Sequence, residues 1–259
     1  MLRHWRVARR MSQLTLATEA EVSSRHVCFL ETGRGTPSRD MVELLAGVLG
    51  VPLNERNAML VAAGYAPAYA ERTMEAPELR HVRRAFDYML GQQEPYPAFV
   101  IDGRWNIVMR NRAGPRIFGL FRADPGLPPR MAQNALHAIC HPAGLRQFIV
   151  NWEEFAGPLI QTVHREAAAG TNPAAARLLA ELLAYPGIPS RWRVPDPNVP
   201  MSPVLTMRLK RGDLTLAFFS MLTVLATPHD IMLEQLRVEC FYPADNVTEE
   251  TARRLATSP

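Results

Sequence analysis

The stretch MSQLTLATEAEVSSRHVCFLETGRGTP, residues 11–37, decides the N-terminal fold. Ser12 stands where a hydroxyl accepts from a backbone N–H left free in a helix's first turn, so a helix is predicted from Gln13. Leu14, Leu16, Ala17 and Ala20 give it apolar positions within two turns. After the short break Glu21-Val22, Ser23 is a second N-cap, and Val27 and Leu30 lie on one side of the helix it opens. Gly33 sits where a left-handed residue closes a helix. Two short capped helices joined by a tight turn, the second with a polar leading face, predict a helix-turn-helix. Such a motif lays its second helix in the major groove of double-stranded DNA. Turns of such motifs often carry glycine where Glu21 stands; a left-handed conformation there costs a side chain about 1 kcal/mol.

With Ser23 as cap, Ser24, Arg25 and His26 form the first turn of the second helix, and Cys28 and Phe29 the next. Its solvent side is then Ser24, Arg25, Cys28 and Phe29. Arg25 suits a bidentate contact to guanine, worth roughly 1–3 kcal/mol of discrimination; Phe29 suits a thymine methyl. His26 faces either the core or a base. Arg9, Arg10, Arg34 and Arg39 are phosphate candidates, which position a protein without specifying sequence. The pattern Ser12-Gln13, Leu16-Ala17, Ala20, Val22-Ser23, Val27, Leu30-Glu31, Gly33 and Pro37-Ser38 resembles the Cro/repressor-type helix-turn-helix family. That resemblance adds Gln13 as a phosphate or base-edge contact. The expected DNA-contact set is therefore Gln13, Ser23, Ser24, Arg25, His26, Cys28, Phe29, Arg34 and Arg39.

The net charge is only +4, and residues 1–70 hold eight arginines against six acidic residues. A single copy is expected to hold DNA modestly, which favours a homodimer on a two-part operator. The chain has 259 residues, 47% of them hydrophobic, enough for one or two globular domains. Its three cysteines, Cys28, Cys140 and Cys240, stand far apart, which argues against a disulfide scaffold or zinc site and fits a reducing cytoplasm. No apolar run approaches the roughly 18 residues of a membrane span.

After Pro37 the helical pattern continues through Met41, Leu44, Leu45, Val48 and Leu49, and again over residues 54–63, ending at Gly64. With residues 2–10 this predicts an all-α five-helix domain over residues 1–66, bounded by the Ala-Pro-Ala segment at 66–68. A linking helix follows at 78–91. The period then changes: AFVID (98–102) and WNIVMR (105–110) read as strands joined at Gly103-Arg104, and Asn111 is placed to cap a helix through Phe118. Helical pattern resumes over 136–169 with a turn at His141-Pro142. A second turn is expected at 171–173 and a helix at 174–183. Past a proline-rich stretch at 185–203, residues 204–210, 214–225 and 231–242 read as strands, the first two joined by a tight turn at Arg211-Gly212-Asp213. The expectation is α+β, with residues 67–259 forming a PAS-like domain built on an antiparallel five-stranded sheet with flanking helices.

Over nearly the full length the chain resembles the MmyB-like transcription regulators. The residues that carry this are SSRHV…FLETGR, ERNAMLVAAGYAP, EPYPAFVID followed by Trp105-Asn106, Asn111, HPAGLRQFIVNWEEFA, LLAYPG and VECFYPAD. The resemblance implies a bacterial transcription factor whose second domain is a sensor holding a small apolar effector, such as a fatty acid. Wall candidates are Trp105, Ile107 and Met109 on one strand, Phe148, Trp152 and Phe155 on one helix face, and Phe219, Met221 and Leu225 on a late strand. Asn111, Arg146 and Asn151 are the head-group candidates, Asn111 being equally suited to a helix cap. No cofactor is expected beyond such an effector. Enzyme patterns are lacking: no GxSxG, P-loop or GxGxxG occurs. The adjacent Glu153 and Glu154 diverge by about 100° on a helix, so they cannot flank one bond. The competing reading is a DNA-binding protein whose second domain is a protein-interaction module without a ligand.

Overall fold

Five helices form near the N-terminus, and three serines set the starts of three of them. The helices are α1 (Leu2–Ala8), α2 (Gln13–Glu19), α3 (Ser24–Glu31), α4 (Arg39–Val48) and α5 (Leu53–Ala62). Ser12 accepts from the Thr15 N–H at 2.9 Å, Ser23 from His26 at 3.1 Å and Ser38 from Met41 at 3.2 Å. Glu21 holds the α2–α3 turn at a φ of 55°, and Gly33 closes α3 in the left-handed region. Trp5, Leu16, Val27, Leu45, Leu49 and Leu60 form the buried core of this region.

The computed structural model describes residues 1–257 apart from 124, 169–172, 197–203 and 227. After α6 (Arg80–Gln92) come β1 (Ala98–Ile101), β2 (Ile107–Arg110), α7 (Ala113–Phe118), α8 (Pro129–Ala132), α9 (Ala135–Cys140), α10 (Trp152–Ala168), α11 (Pro173–Leu183), β3 (Thr206–Arg211) and β4 (Leu214–Val224). The chain ends in α12 (Ile231–Gln235), β5 (Arg237–Pro243) and α13 (Asn246–Thr257). The five strands make one antiparallel sheet in the order β2-β1-β5-β4-β3, with helices α7 to α11 between the second and third strands. This is the α+β architecture expected. Residues 171 and 172 of the expected turn lie outside the described residues.

Two strand expectations need correcting. Residues 231–242 were expected as one strand, but the first turn is α12: the Asp230 carboxylate accepts from the Met232 N–H at 2.9 Å, and a capped start commits the chain to a helix. Trp105 was expected inside a strand; it sits at a φ of 65°, because Asp102 accepts from both the Arg104 and Asn106 N–H groups and bends the chain there. β2 begins two residues later.

Close packing divides the chain into two units: Met1–Thr73 with Ala226–Glu234, and Met74–Leu225 with the residues after Glu234. Within the first unit the segment Ala226–Glu234 makes defined contacts. Asp230, 3% exposed, pairs with the Arg72 guanidinium at 3.1 Å, and the Ile231 N–H donates to the Ala70 carbonyl. Helix α5 begins at Leu53 after Pro52, which has no side chain to cap it; Glu234 accepts from the Leu53 N–H at 2.8 Å instead. In the second unit the sheet packs against α7, α9, α10 and α13 through Ile117, Phe155, Ile160, Met207, Leu209 and Phe218.

Candidate functional site

The outward face of α3 carries a small set of reading groups. Ser24 and Arg25 are exposed, and the Arg25 guanidinium lies over the Phe29 ring at 5.1 Å, which orders a long side chain before any ligand arrives. His26, Cys28 and Phe29 are half-buried, and Val27 is fully buried beneath them. Arg34 is exposed in the turn that follows and Arg39 at the start of α4. Two expected groups are otherwise engaged. The Gln13 amide donates to Glu31 at 2.7 Å. Arg9 donates to the carbonyls of Leu49 and Gly50 at the end of α4, at 2.8 and 2.9 Å, and stacks on Trp5.

Glu31 is the node beneath this face. It accepts from Arg6 twice and from Gln13, and the Arg6 hydrogen bonds hold its carboxyl below the ordinary glutamate value against the cost of burial.

The second unit holds a cavity of about 210 Å³, partly open to the surface, between the sheet and helices α7 and α9. Phe99, Ile101, Ile107, Phe118, Met207 and Phe241 form much of its apolar wall, and Ala135, Ala138, Ile139 and Leu145 part of the other side. Among the described residues its charged lining groups are Arg110, Arg122 and Glu239. Arg110 and Arg122 are exposed at the rim, whereas burial pushes the Glu239 carboxyl above the ordinary range despite a hydrogen bond from Ser220. Arg110 and Glu239 both pair with Phe99, from opposite sides of β1, so the three residues form one row on the cavity face.

Of the residues expected at the cavity, Ile107 lies in its wall. Met109 faces the other way because a bulge interrupts the ladder. Ile107 pairs with Ile101 but Met109 pairs with Val100, so two residues of β2 oppose one of β1 and the faces exchange. Phe219 and Met221 also lie on the reverse face. Phe218 and Ser220 share the Phe241 side of the sheet, while Phe219 stacks on Tyr242 and Met221 is 59% exposed. Leu225 lies past the end of β4.

Trp105 is buried elsewhere, donating to Glu166 at 3.0 Å beneath the Arg237 guanidinium. Phe148 packs on Phe121, Trp152 on Trp192, and Phe155 lies in the core with Met207 and Leu209.

The three expected head-group residues serve the backbone. Asn111 accepts from the Ala98 and Gly114 N–H groups and donates to the Leu90 and Tyr96 carbonyls, which fills its amide. Arg146 donates to the carbonyls of Pro186 and Gly187. Asn151 bonds the Thr206 carbonyl and the Arg208 N–H, fastening the start of α10 to β3. The cavity residues missed from sequence had a signal: Glu239 is an acid inside the apolar run VECFY, on the same strand face as Phe241.

Fold and site define a DNA-binding transcription regulator with a ligand-binding domain. The chain belongs to the family described as the MmyB-like transcription regulator ligand binding domain, whose model matches residues 82–255. Residues 1–59 match a helix-turn-helix domain model. No curated protein matches the chain at a significant level. A solved structure described as "Structure of an RNA-binding Light-Oxygen-Voltage Receptor" is 10% identical, over 98% of this chain and 60% of that one, with a TM-score of 0.29. The chain thus spans less than two thirds of that structure, and a likeness so distant carries no argument. Among the described residues no helix is long and apolar enough to cross a membrane.

Proposed function

We propose that this protein is a dimeric, cytoplasmic transcription regulator whose affinity for an operator is set by an acyl-chain effector bound in the second unit. The observation that carries the reading is the apolar cavity with two arginines at its rim. An apolar interior suits a hydrocarbon chain, and a guanidinium with no ion pair among the described residues suits its carboxylate. Arg110 takes the anchoring role here in place of Asn111, Arg146 and Asn151. On the DNA side Arg25 reads a base pair, while Arg34 and Arg39 hold phosphates.

The effector works by population shift. For a tenfold change in operator affinity it must bind one state about 1.4 kcal/mol better than the other. The end of α6 is a route within the second unit. Gln93 donates to the carbonyl of the cavity residue Phe241 at 2.7 Å, and Asn111 ties Leu90 to β1.

The test is operator binding by the full chain, measured with increasing dodecanoic acid. A shift of the operator Kd that saturates with acid concentration supports the reading; unchanged binding at saturating acid refutes it. A second reading, a protein partner in place of an effector, is favoured by the exposed apolar end of β4, where Met221, Leu222 and Val224 are all more than half exposed.

A further inference from the structure

Glu239 is the feature of the cavity that a simple hydrocarbon does not explain. It stands in the middle of β5, between Val238 and Cys240, with its side chain on the cavity wall. No salt bridge to it forms among the described residues; the group that faces it is the Ser220 hydroxyl. Burial raises its carboxyl despite the hydrogen bond from Ser220. A ligand that fills the cavity with methylene groups strips water from this carboxyl and leaves it the Ser220 hydroxyl alone, with its other acceptor sites unfilled, which is costly.

Arg110 lies in the same cross-strand row, with Phe99 between the two. Neighbouring strands are roughly 4.8 Å apart, so the backbones of Arg110 and Glu239 stand roughly 10 Å apart. The cavity therefore has two polar points of opposite character on one side. One is a cation at the rim, the other an acid further along the wall.

Resting on the reading of this cavity as an acyl-effector site, we propose that the effector is not a plain fatty acid. It is an acyl chain that bears a hydrogen-bond donor, a hydroxyl or an amide N–H, close to its carboxylate. Arg110 holds the carboxylate and Glu239 receives the donor. Glu239 is then a specificity-determining residue: it rejects an unsubstituted chain by leaving a half-buried acid with acceptor sites that Ser220 does not fill, and accepts one whose donor completes it.

The experiment is isothermal titration of the full chain, stripped of any carried lipid, with dodecanoic acid, 3-hydroxydodecanoic acid and N-decanoylglycine. The wild type is expected to bind one or both donor-bearing acids about tenfold more tightly than dodecanoic acid, the value of one buried hydrogen bond. Which of the two is preferred tells hydroxyl from amide. Glu239→Leu is expected to abolish the preference while binding dodecanoic acid at least as well, and Glu239→Gln to retain it.

Equal binding of all three acids by the wild type overturns the proposal while leaving the acyl-effector reading intact. So does a Glu239→Leu chain that folds and weakens all three alike. If none of the three binds the wild type, the acyl-effector reading and this proposal fall together. The wild-type ratio decides the matter even if Glu239→Leu does not fold.

Discussion

Glu31, the last residue of α3, accepts the Arg6 guanidinium through both oxygens, at 2.7 and 2.8 Å, with its side chain 2% exposed. The end of the recognition helix is thereby fastened to α1. Removing Arg6 leaves an uncompensated buried carboxylate, so Arg6→Ala is expected to destabilise the first unit by about 3–5 kcal/mol. The pair also carries a pH dependence. Folding lowers the Glu31 carboxyl, chiefly through the Arg6 hydrogen bonds, so its stabilisation is fully present above the unfolded value of 4.5. It is lost as pH falls below 4.5 and through the folded value. Segment-resolved hydrogen exchange, corrected for intrinsic rates, should show α3 losing protection in acid, and Arg6→Ala should remove that acid-sensitive component.

Arg25 is placed to read sequence. Arg25→Ala should weaken operator binding by about 1–3 kcal/mol and leave binding to random DNA nearly unchanged. Paired titrations on both DNAs check it; equal losses on the two would make Arg25 a phosphate contact.

The contacts of Glu234 and Asp230 within the first unit differ in weight. Glu234→Ala removes the acceptor at the start of α5 and should cost about 1 kcal/mol. Asp230→Ala should cost more, about 2–3 kcal/mol. It removes a buried carboxylate that receives the Arg72 guanidinium and backbone N–H and the Met232 N–H. Urea unfolding of the two variants, followed by hydrogen exchange at α5, ranks them.

Asn111→Ala should destabilise the second unit by about 3 kcal/mol or more, because four backbone groups lose their partner at a buried site. Exchange protection in β1 and α7 should fall while α2 and α3 keep theirs.

Filling the cavity separates its role from that of the fold. Ala138 lines it from α9, and Ala138→Phe should abolish acyl binding while leaving operator binding by the unliganded chain at its wild-type value. Calorimetry with dodecanoic acid and a DNA-binding titration on the same sample check both halves.

The first unit was legible in the sequence because its helices announce themselves locally. Ser12 and Ser23 cap where the hydroxyls stand, and Glu21 and Gly33 take the left-handed turns their positions require. Strands 98–101, 107–110 and 206–211 were legible within one or two residues for the same reason, since alternation is a local signal. Which face of each strand meets the cavity was not. The choice of Met109 failed on a single bulge residue, and Phe219 and Met221 on a parity that α7 and α13, not β4 itself, decide. Asn111, Arg146 and Asn151 are polar groups next to apolar runs, and in sequence a backbone clamp looks the same as a ligand anchor. Arg9 reads as a phosphate contact and the resemblance makes Gln13 a DNA contact, but Leu49 and Glu31 reach them from elements distant in sequence.

Native mass spectrometry of the purified full-length chain, followed by denaturing extraction, tests the central claim most directly. The account predicts a dimer that carries an acyl compound in stoichiometric amount, released on unfolding. A dimer that is empty as isolated, and that no acyl acid of eight to fourteen carbons stabilises against heat, would contradict it.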